Sequence, residues 1–319
     1  MTVETRRAVE WTLERPGQLN RSVRTLPNPT AGEILVATRL GAVSPGTERT
    51  LLHGSAPAVT AASYPHQPGY LNVVEIIDAP DRTLVGERGV ALLGHRDLAL
   101  IPYHRFLRMP AEAPDESGLL GVLAADASHA LDTAVVEKEE DCLVIGGGIL
   151  GVLSTWELCL RTRGRIVLVE RDPQRRGLLA GITWPGGTEI TDAPGHHRFH
   201  NVFDCAGSAT GFTLAQQSAR AQGSIVLVSD GSHEPYVLAE DFFRRGLFLG
   251  KTDSHPDLRT FLGEYFTRGE DRGSLLDVAF RDEIRFADFP QAYLESLLAA
   301  PAERRGLLPR VVYPAAPGA

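Results

Sequence analysis

Lysine is nearly missing from this chain. Lys138 and Lys251 are the only lysines among 32 Lys and Arg residues, and the formal net charge is −8. No basic run occurs, which excludes the electrostatic footprint of a nucleic-acid-binding protein. Cysteine is scarce too: Cys142, Cys159 and Cys205 sit in apolar contexts at no metal-ligand spacing. That excludes a disulfide framework and a cysteine zinc cluster. No apolar run approaches the length of a membrane span, and the chain opens on charged residues, so a cytoplasmic protein without a membrane partner is expected. What remains is 43% hydrophobic and 23% charged over 319 residues, ordinary for a globular chain of two domains or one large one.

Residues 1 to about 115 carry no sustained helical period. They read as short strands separated by Pro and Gly: Arg7 to Leu13, Glu33 to Leu40, Asn72 to Ala79, Gly89 to Leu93 and Leu98 to Pro102. Pro110 to Pro114 reads as the exit from this β-rich region, and Asp115 to Leu131 as a helix capped by Asp115 or Ser117. Strands and helices then alternate. Strands are expected at Leu143 to Ile145, Arg165 to Glu170, Thr188 to Thr191, Asn201 to Gly207, Ser224 to Ser229 and Arg245 to Gly250. Helices are expected after the first strand, near Pro173 to Gly181 and over Phe212 to Arg220. This βα alternation predicts an α/β protein with a Rossmann doubly wound parallel sheet. Beyond it lie a helix over Asp257 to Arg268, a strand-like Leu275 to Phe280, a helix over Phe289 to Leu298 and a terminal strand at Pro309 to Tyr313.

The strand Leu143 to Ile145 runs into Gly146, Gly148 and Gly151, a G-x-G-x-x-G motif at the point where the period becomes helical. Gly146 permits the tight turn, Gly148 lets a pyrophosphate approach the backbone, and Gly151 lets helix and strand pack closely. Ile149 and Leu150 offer first-turn N–H groups to the phosphates. The motif alone is weak evidence. Here Glu170 ends the next strand about 20 residues on, where a dinucleotide site needs an acid for the ribose hydroxyls. NAD is therefore the expected cofactor. Arg171 and Arg175, beside the adenosine end, keep NADP open. Small residues Cys205, Ala206 and Gly207 end one strand, Ser229 and Asp230 the next, and Lys251 and Thr252 the last, as a cofactor lying across the sheet requires. His196, His197 and His200 read as a solvated loop rather than a metal tract.

The layout resembles the medium-chain dehydrogenase/reductase superfamily. Ser44-Pro-Gly-Thr-Glu-Arg49, Leu51-Leu-His-Gly54 and Tyr64-Pro…Pro68-Gly-Tyr70 are similar to the bacteriochlorophyllide dehydrogenase branch. So are Leu123 to Leu131, Glu170 with Arg175-Arg176-Gly177, and Gln291-Ala-Tyr293. That branch oxidises the hydroxyethyl group of a chlorin to acetyl with a nicotinamide cofactor. The resemblance implies a GroES-like substrate and catalytic domain at 1–115, a Rossmann domain at 116–255 and a segment at 256–319 returning to the catalytic domain. It also implies a homodimer with Ser224 to Ser229 as an edge strand, and a bulky, ring-bearing small-molecule substrate.

Departures from the superfamily decide the chemistry. Its zinc enzymes carry a Cys before the Gly-Thr of the first loop and a His-Glu pair after the glycine of the second. This chain has Pro45 in the first place and Tyr70-Leu71 after Gly69 in the second. No zinc is expected, so a side chain must polarise the reacting oxygen. Tyr70 takes the position of the lost ligand, Thr47 that of a relay hydroxyl, and Glu48 is a candidate base. Each has a plain alternative: a turn for Thr47, an ion pair with Arg49 for Glu48, a satisfied core hydroxyl for Tyr70. His129, three residues after Asp126, shares a helix face with it, and Asp126 falls near the third ligand position of the zinc enzymes. His95 is a second candidate relay. The reading is a zinc-independent alcohol/ketone oxidoreductase. Its rivals are an NADPH-dependent enoyl or quinone C=C reductase and a cofactor-binding protein of altered activity.

Overall fold

A computed structural model describes residues 6–54, 64–195, 198–229, 234–299 and 303–315. An antiparallel hairpin opens the chain, β1 (Arg6–Arg15) and β2 (Gln18–Leu26), turned at Gly17. There follow β3 (Glu33–Ala42), α1 (Pro45–His53), β4 (Leu71–Asp78), β5 (Arg88–Val90), β6 (Leu98–Pro102) and β7 (Leu107–Arg108). The long α2 (Asp115–Ala134) leads into β8 (Cys142–Ile145), α3 (Ile149–Arg161), β9 (Ile166–Val169), α4 (Pro173–Leu179) and β10 (Thr188–Thr191). Next are β11 (Phe199–Asp204), α5 (Ala209–Ser218), β12 (Ala219–Leu227), α6 (Glu240–Arg245) and β13 (Phe248–Lys251). The chain closes with α7 (Leu258–Thr267), α8 (Gly273–Ala279), β14 (Glu283–Arg285), α9 (Phe289–Leu298) and β15 (Arg310–Val312).

The doubly wound expectation is met. Six parallel strands lie in the order β10-β9-β8-β11-β12-β13, so the winding reverses between β8 and β11. The central residues of the four inner strands, β9, β8, β11 and β12, are buried on both faces, which is why they read as unbroken apolar runs. The second sheet runs β14-β15-β3-β4-β5-β7, with β6 pairing β3. Its β15 lies antiparallel to β3, so the end of the chain closes onto the sheet of its beginning.

Several local expectations are corrected. Leu275 to Phe280 is not a strand: Leu275, Val278 and Ala279 are buried at helical spacing, forming α8. Ser224 to Leu227 is not an edge, because β12 is paired on both sides and β13 takes the edge. His200 lies on β11 rather than in a loop; its Nδ1 accepts from Arg220 Nε at 3.0 Å. His196, His197 and Asp230 lie outside the described residues. The α2 helix is capped at Pro114, not at Asp115 or Ser117. A whole helix, α1, also stands where Pro45-Gly46 reads as a turn. Proline at the first helical position is pre-set in φ and loses no needed N–H, and the Glu48 carboxylate reaches back to the Ser44 N–H at 2.8 Å.

Candidate active site

At the switch between β8 and β11 the glycine turn has the geometry its sequence calls for. Gly146 has φ +101°, and a Cβ there would stand 3.0 Å from the Ala206 backbone. A Cβ on Gly151 would be 1.8 Å from the Gly146 carbonyl oxygen, so strand and helix touch through bare backbone. At Gly148 nothing stands within 3.9 Å of that position except Arg175 Nη1. The α3 helix starts at Ile149 with no side-chain cap, so the first-turn N–H groups of Ile149 and Leu150 have no side-chain acceptor there. These features fit a dinucleotide phosphate.

Glu170 follows β9 and is largely buried. Its Oε2 accepts from Gly147 N at 2.9 Å and its Oε1 from Asp172 N at 2.9 Å. Each oxygen retains a lone pair, so the acid braces the glycine turn and still has acceptors for a ribose. Arg171 is exposed beside it. The small end of β11 is held by a residue that sequence reasoning passed over. Asp204 Oδ1 accepts from Ala206 N at 3.0 Å, while its Oδ2 is buried without a partner. Burial pushes the Asp204 carboxyl up to about 6, against the pull of backbone N–H groups from Ala206 and Gly207. Cys205 packs its Sγ 3.8 Å from Ser154 Oγ, and burial pushes its thiol up to about 12, so it is an inert wall. The Ser229 hydroxyl is buried and unpartnered. Thr252 is buried and anchored to β12 through its N–H to the Leu227 oxygen at 3.1 Å, with Lys251 Nζ at 3.3 Å from the Thr252 oxygen.

The catalytic candidates converge from separate elements. Tyr70, just before β4, donates its hydroxyl to Ser44 Oγ at 3.0 Å. Burial pushes its phenol up to about 12; hydrogen bonds with Ser44 and Thr47 oppose this, and the Glu48 and Asp126 charges add to it. Thr47 is exposed at the mouth of this group. Asp126, on α2, accepts from His255 N at 3.1 Å, and the rings of His129 and His255 meet edge-on with centroids 5.7 Å apart. His255 was missed by sequence reasoning; its signal was a ring just past the Lys251-Thr252 strand end.

Glu48 is a correction. It is fully buried, and Arg49 is not its partner: the Arg49 guanidinium donates to the Leu297 and Ala299 carbonyls. The second Glu48 oxygen instead meets His95 Nε2 at 3.0 Å, with His95 also fully buried. The other ring nitrogen, Nδ1, lies 3.3 Å from the Tyr313 hydroxyl. The imidazole packs at 4.7 Å centroid distance on Phe289 and lies under Gly69, where a Cβ would meet the ring at 2.6 Å. The Tyr293 hydroxyl sits beside Glu48, and burial first, then the Glu48 charge and hydrogen bonding with it, push the phenol well up. Glu48 thus holds the backbone of Ser44, whose hydroxyl accepts from Tyr70.

Among the described residues, no three His, Cys, Asp or Glu side chains gather as a metal set. Around Tyr70 the donors are a phenol, a serine hydroxyl and one carboxylate, which accepts from His255 N. That set does not fit a catalytic zinc, which takes three N, S or O⁻ donors.

No protein-family profile matches the chain. It is 31% identical over 217 residues to a 2-desacetyl-2-hydroxyethyl bacteriochlorophyllide A dehydrogenase of Cereibacter sphaeroides, covering 61% of this chain and 65% of that protein. The same enzyme of Rhodobacter capsulatus is 29% identical over 214 residues, 60% of this chain and 64% of that one. The chain thus spans just under two thirds of the length of these relatives. In three dimensions it superposes with TM-score 0.79 on a candidate zinc-binding dehydrogenase from Sinorhizobium meliloti bound to NADP. That match covers 96% of this chain and 99% of the other at 18% identity. The fold is that of the medium-chain dehydrogenases. Its N-terminal sheet is the GroES-like part of that fold, and the six-stranded sheet is the Rossmann part.

Proposed function

We propose that this medium-chain dehydrogenase is a nicotinamide-dependent oxidoreductase that interconverts a secondary alcohol and a ketone on a bulky, ring-bearing small molecule, without zinc. The observation that carries it is the Tyr70 hydroxyl, kept protonated at about 12 and bonded to Ser44 where zinc enzymes of this fold hold a metal ligand. The nicotinamide supplies or accepts the hydride. The residues bracketing its phosphates and ribose are Gly146, Gly148, Ile149, Leu150, Gly151 and Glu170, and the small ends of β11 and β12 form its bed.

The chain's own work is to hold one proton. In ketone reduction the Tyr70 O–H bonds to the carbonyl oxygen and gives up its proton as charge develops there. Ser44 and Thr47 hydroxyls stabilise the phenolate left behind, and Thr47 opens the path to solvent. Asp126, with His255 and His129 behind it, orients the substrate hydroxyl from the α2 side. The likeness to hydroxyethyl-chlorin dehydrogenases supports a ring-bearing substrate. The sheet edge β13 supports a homodimer: Phe248 is 64% and Leu249 43% exposed on a strand paired on one side only.

Incubation with 4-deuterated cofactor and either ring-bearing ketones or enones tests the reading. Deuterium at a carbinol carbon is expected. Deuterium at the β-carbon of a saturated ketone, with simple ketones left unreacted, would favour the C=C reductase instead.

A further inference from the structure

One face of α2 is polar and is turned toward the end of β13. Asp126, His129 and Thr133 recur at i, i+3 and i+7, the spacing of a single helix face. Asp126 Oδ1 accepts from His255 N at 3.1 Å, and the His129 ring meets the His255 ring edge-on with centroids 5.7 Å apart. Thr133 Cγ2 stands 3.2 Å from where a Cβ on Gly250 of β13 would lie. His255 comes four residues after β13 ends, so the two imidazoles stand outside the carboxyl end of a parallel strand, where doubly wound sheets bind their ligands. The Asp126 charge reaches the Tyr70 phenol, which joins this face to the reacting group.

The His255 ring is held in one orientation and one tautomer. Its Nδ1 accepts from Asp257 N at 3.1 Å; a backbone N–H only donates, so the proton of the neutral ring is on Nε2. The ring packs on Phe261 with centroids 5.2 Å apart and Phe261 on Tyr265 at 6.0 Å, the last two buried in the core. The half-buried imidazoles are thus the outer end of an aromatic ladder, which fixes them before any ligand arrives. Among the described residues, neither His255 Nε2 nor a ring nitrogen of His129 has a hydrogen-bond partner. Donors fixed side by side without acceptors suit a group with two acceptor oxygens, and an ionised acceptor makes bonds about twice as strong as a neutral one. The nearby carboxylates are engaged, Asp126 by His255 N and Asp257 by Thr260 N and Oγ1 at 3.0 and 2.7 Å, and their charge favours a monoanion over a phosphate dianion. Resting on the alcohol–ketone reading above, we propose that His129 and His255 form a subsite for a carboxylate carried by the ring-bearing substrate. The subsite begins roughly 4.5 Å along α2 beyond Asp126, so the carboxylate sits on a part of the molecule remote from the carbon that changes oxidation state.

The probes are acetyl-bearing aromatic ketones with an alkanoate chain of graded length, each as free acid and as methyl ester, assayed on the full chain with NADH and NADPH. At the fitting chain length the acid is expected to exceed its ester about tenfold in kcat/KM, through KM, with a margin that shrinks as salt rises. His255→Ala and His129→Gln each bring that ratio to about one. His129→Gln replaces a half-buried ring without hydrogen bonds and covers a failure of His255→Ala to fold. Esters used as well as the acids at every length overturn the proposal. So do variants that slow acid and ester alike and leave the ratio unchanged, the mark of a merely structural role. If no ketone in either form is reduced, the alcohol–ketone reading falls. Calorimetry of acid and ester on the NADH-loaded protein then decides the subsite: acid-only binding lost in His129→Gln supports it, and equal binding or none overturns it.

Discussion

Replacing His95 with alanine probes the buried pair that holds the catalytic loop. Glu48 and His95 are both fully buried, 3.0 Å apart, and Glu48 also accepts from the Ser44 N–H at 2.8 Å. Removing the imidazole strands a carboxylate in the core, which costs about 3–5 kcal/mol. It also opens a void between Phe289 and Gly69, which adds to the loss. At roughly 2 °C per kcal/mol for a chain of this size, the melting temperature should fall by about 6–10 °C or more. Glu48→Gln keeps an acceptor for Ser44 and should cost less. A cycle with Glu48→Leu, His95→Phe and the double variant, read by thermal unfolding, should give a coupling energy of about 2 kcal/mol or more, because the double variant leaves no charge unpaired. Additive losses would show that the two side chains do not support each other, and the positioning role of Glu48 would fall with that result.

Tyr70→Phe removes the proton donor alone and should lower kcat/KM by about 10²–10⁴-fold while cofactor affinity, read by fluorescence, stays unchanged. Asp204 carries a pH signature. Its carboxyl is pushed up to about 6, so the unfolded chain ionises before the folded one, and stability falls as pH rises from about 4 to about 6 by up to about 3 kcal/mol. Asp204→Asn should flatten that part of urea-unfolding profiles and be more stable than the parent at neutral pH; parallel profiles for the two proteins would refute the burial argument. Leu249→Arg puts a charge on the exposed edge of β13 and should shift the chain to monomer in sedimentation velocity, whereas an unchanged species would place any interface elsewhere.

The cofactor half of the account was legible in the chain because its determinants are local. The β8 turn, the glycines and Glu170 all act within one βαβ unit, and fully buried strands announce themselves as apolar runs. The catalytic half was only partly legible. Tyr70, Thr47 and Asp126 were singled out and do gather, but the Glu48–His95 pair joins residues 47 positions apart and no periodicity encodes it. A proline and a glycine hid α1, since both are turn formers and only the Ser44–Glu48 cap reveals a helix start. The error over Leu275 to Phe280 has the same root: a short apolar run fits strand and helix alike until its packing partners are known.

Zinc-independent ketone reduction through Tyr70 is the central claim. The most direct measurement follows NAD(P)H oxidation by a ring-bearing ketone while metal content is determined on the same chelator-treated protein. The account predicts undiminished turnover with far less than one zinc per chain, and its loss in Tyr70→Phe. Turnover that vanishes on chelation and returns in proportion to added zinc would contradict it.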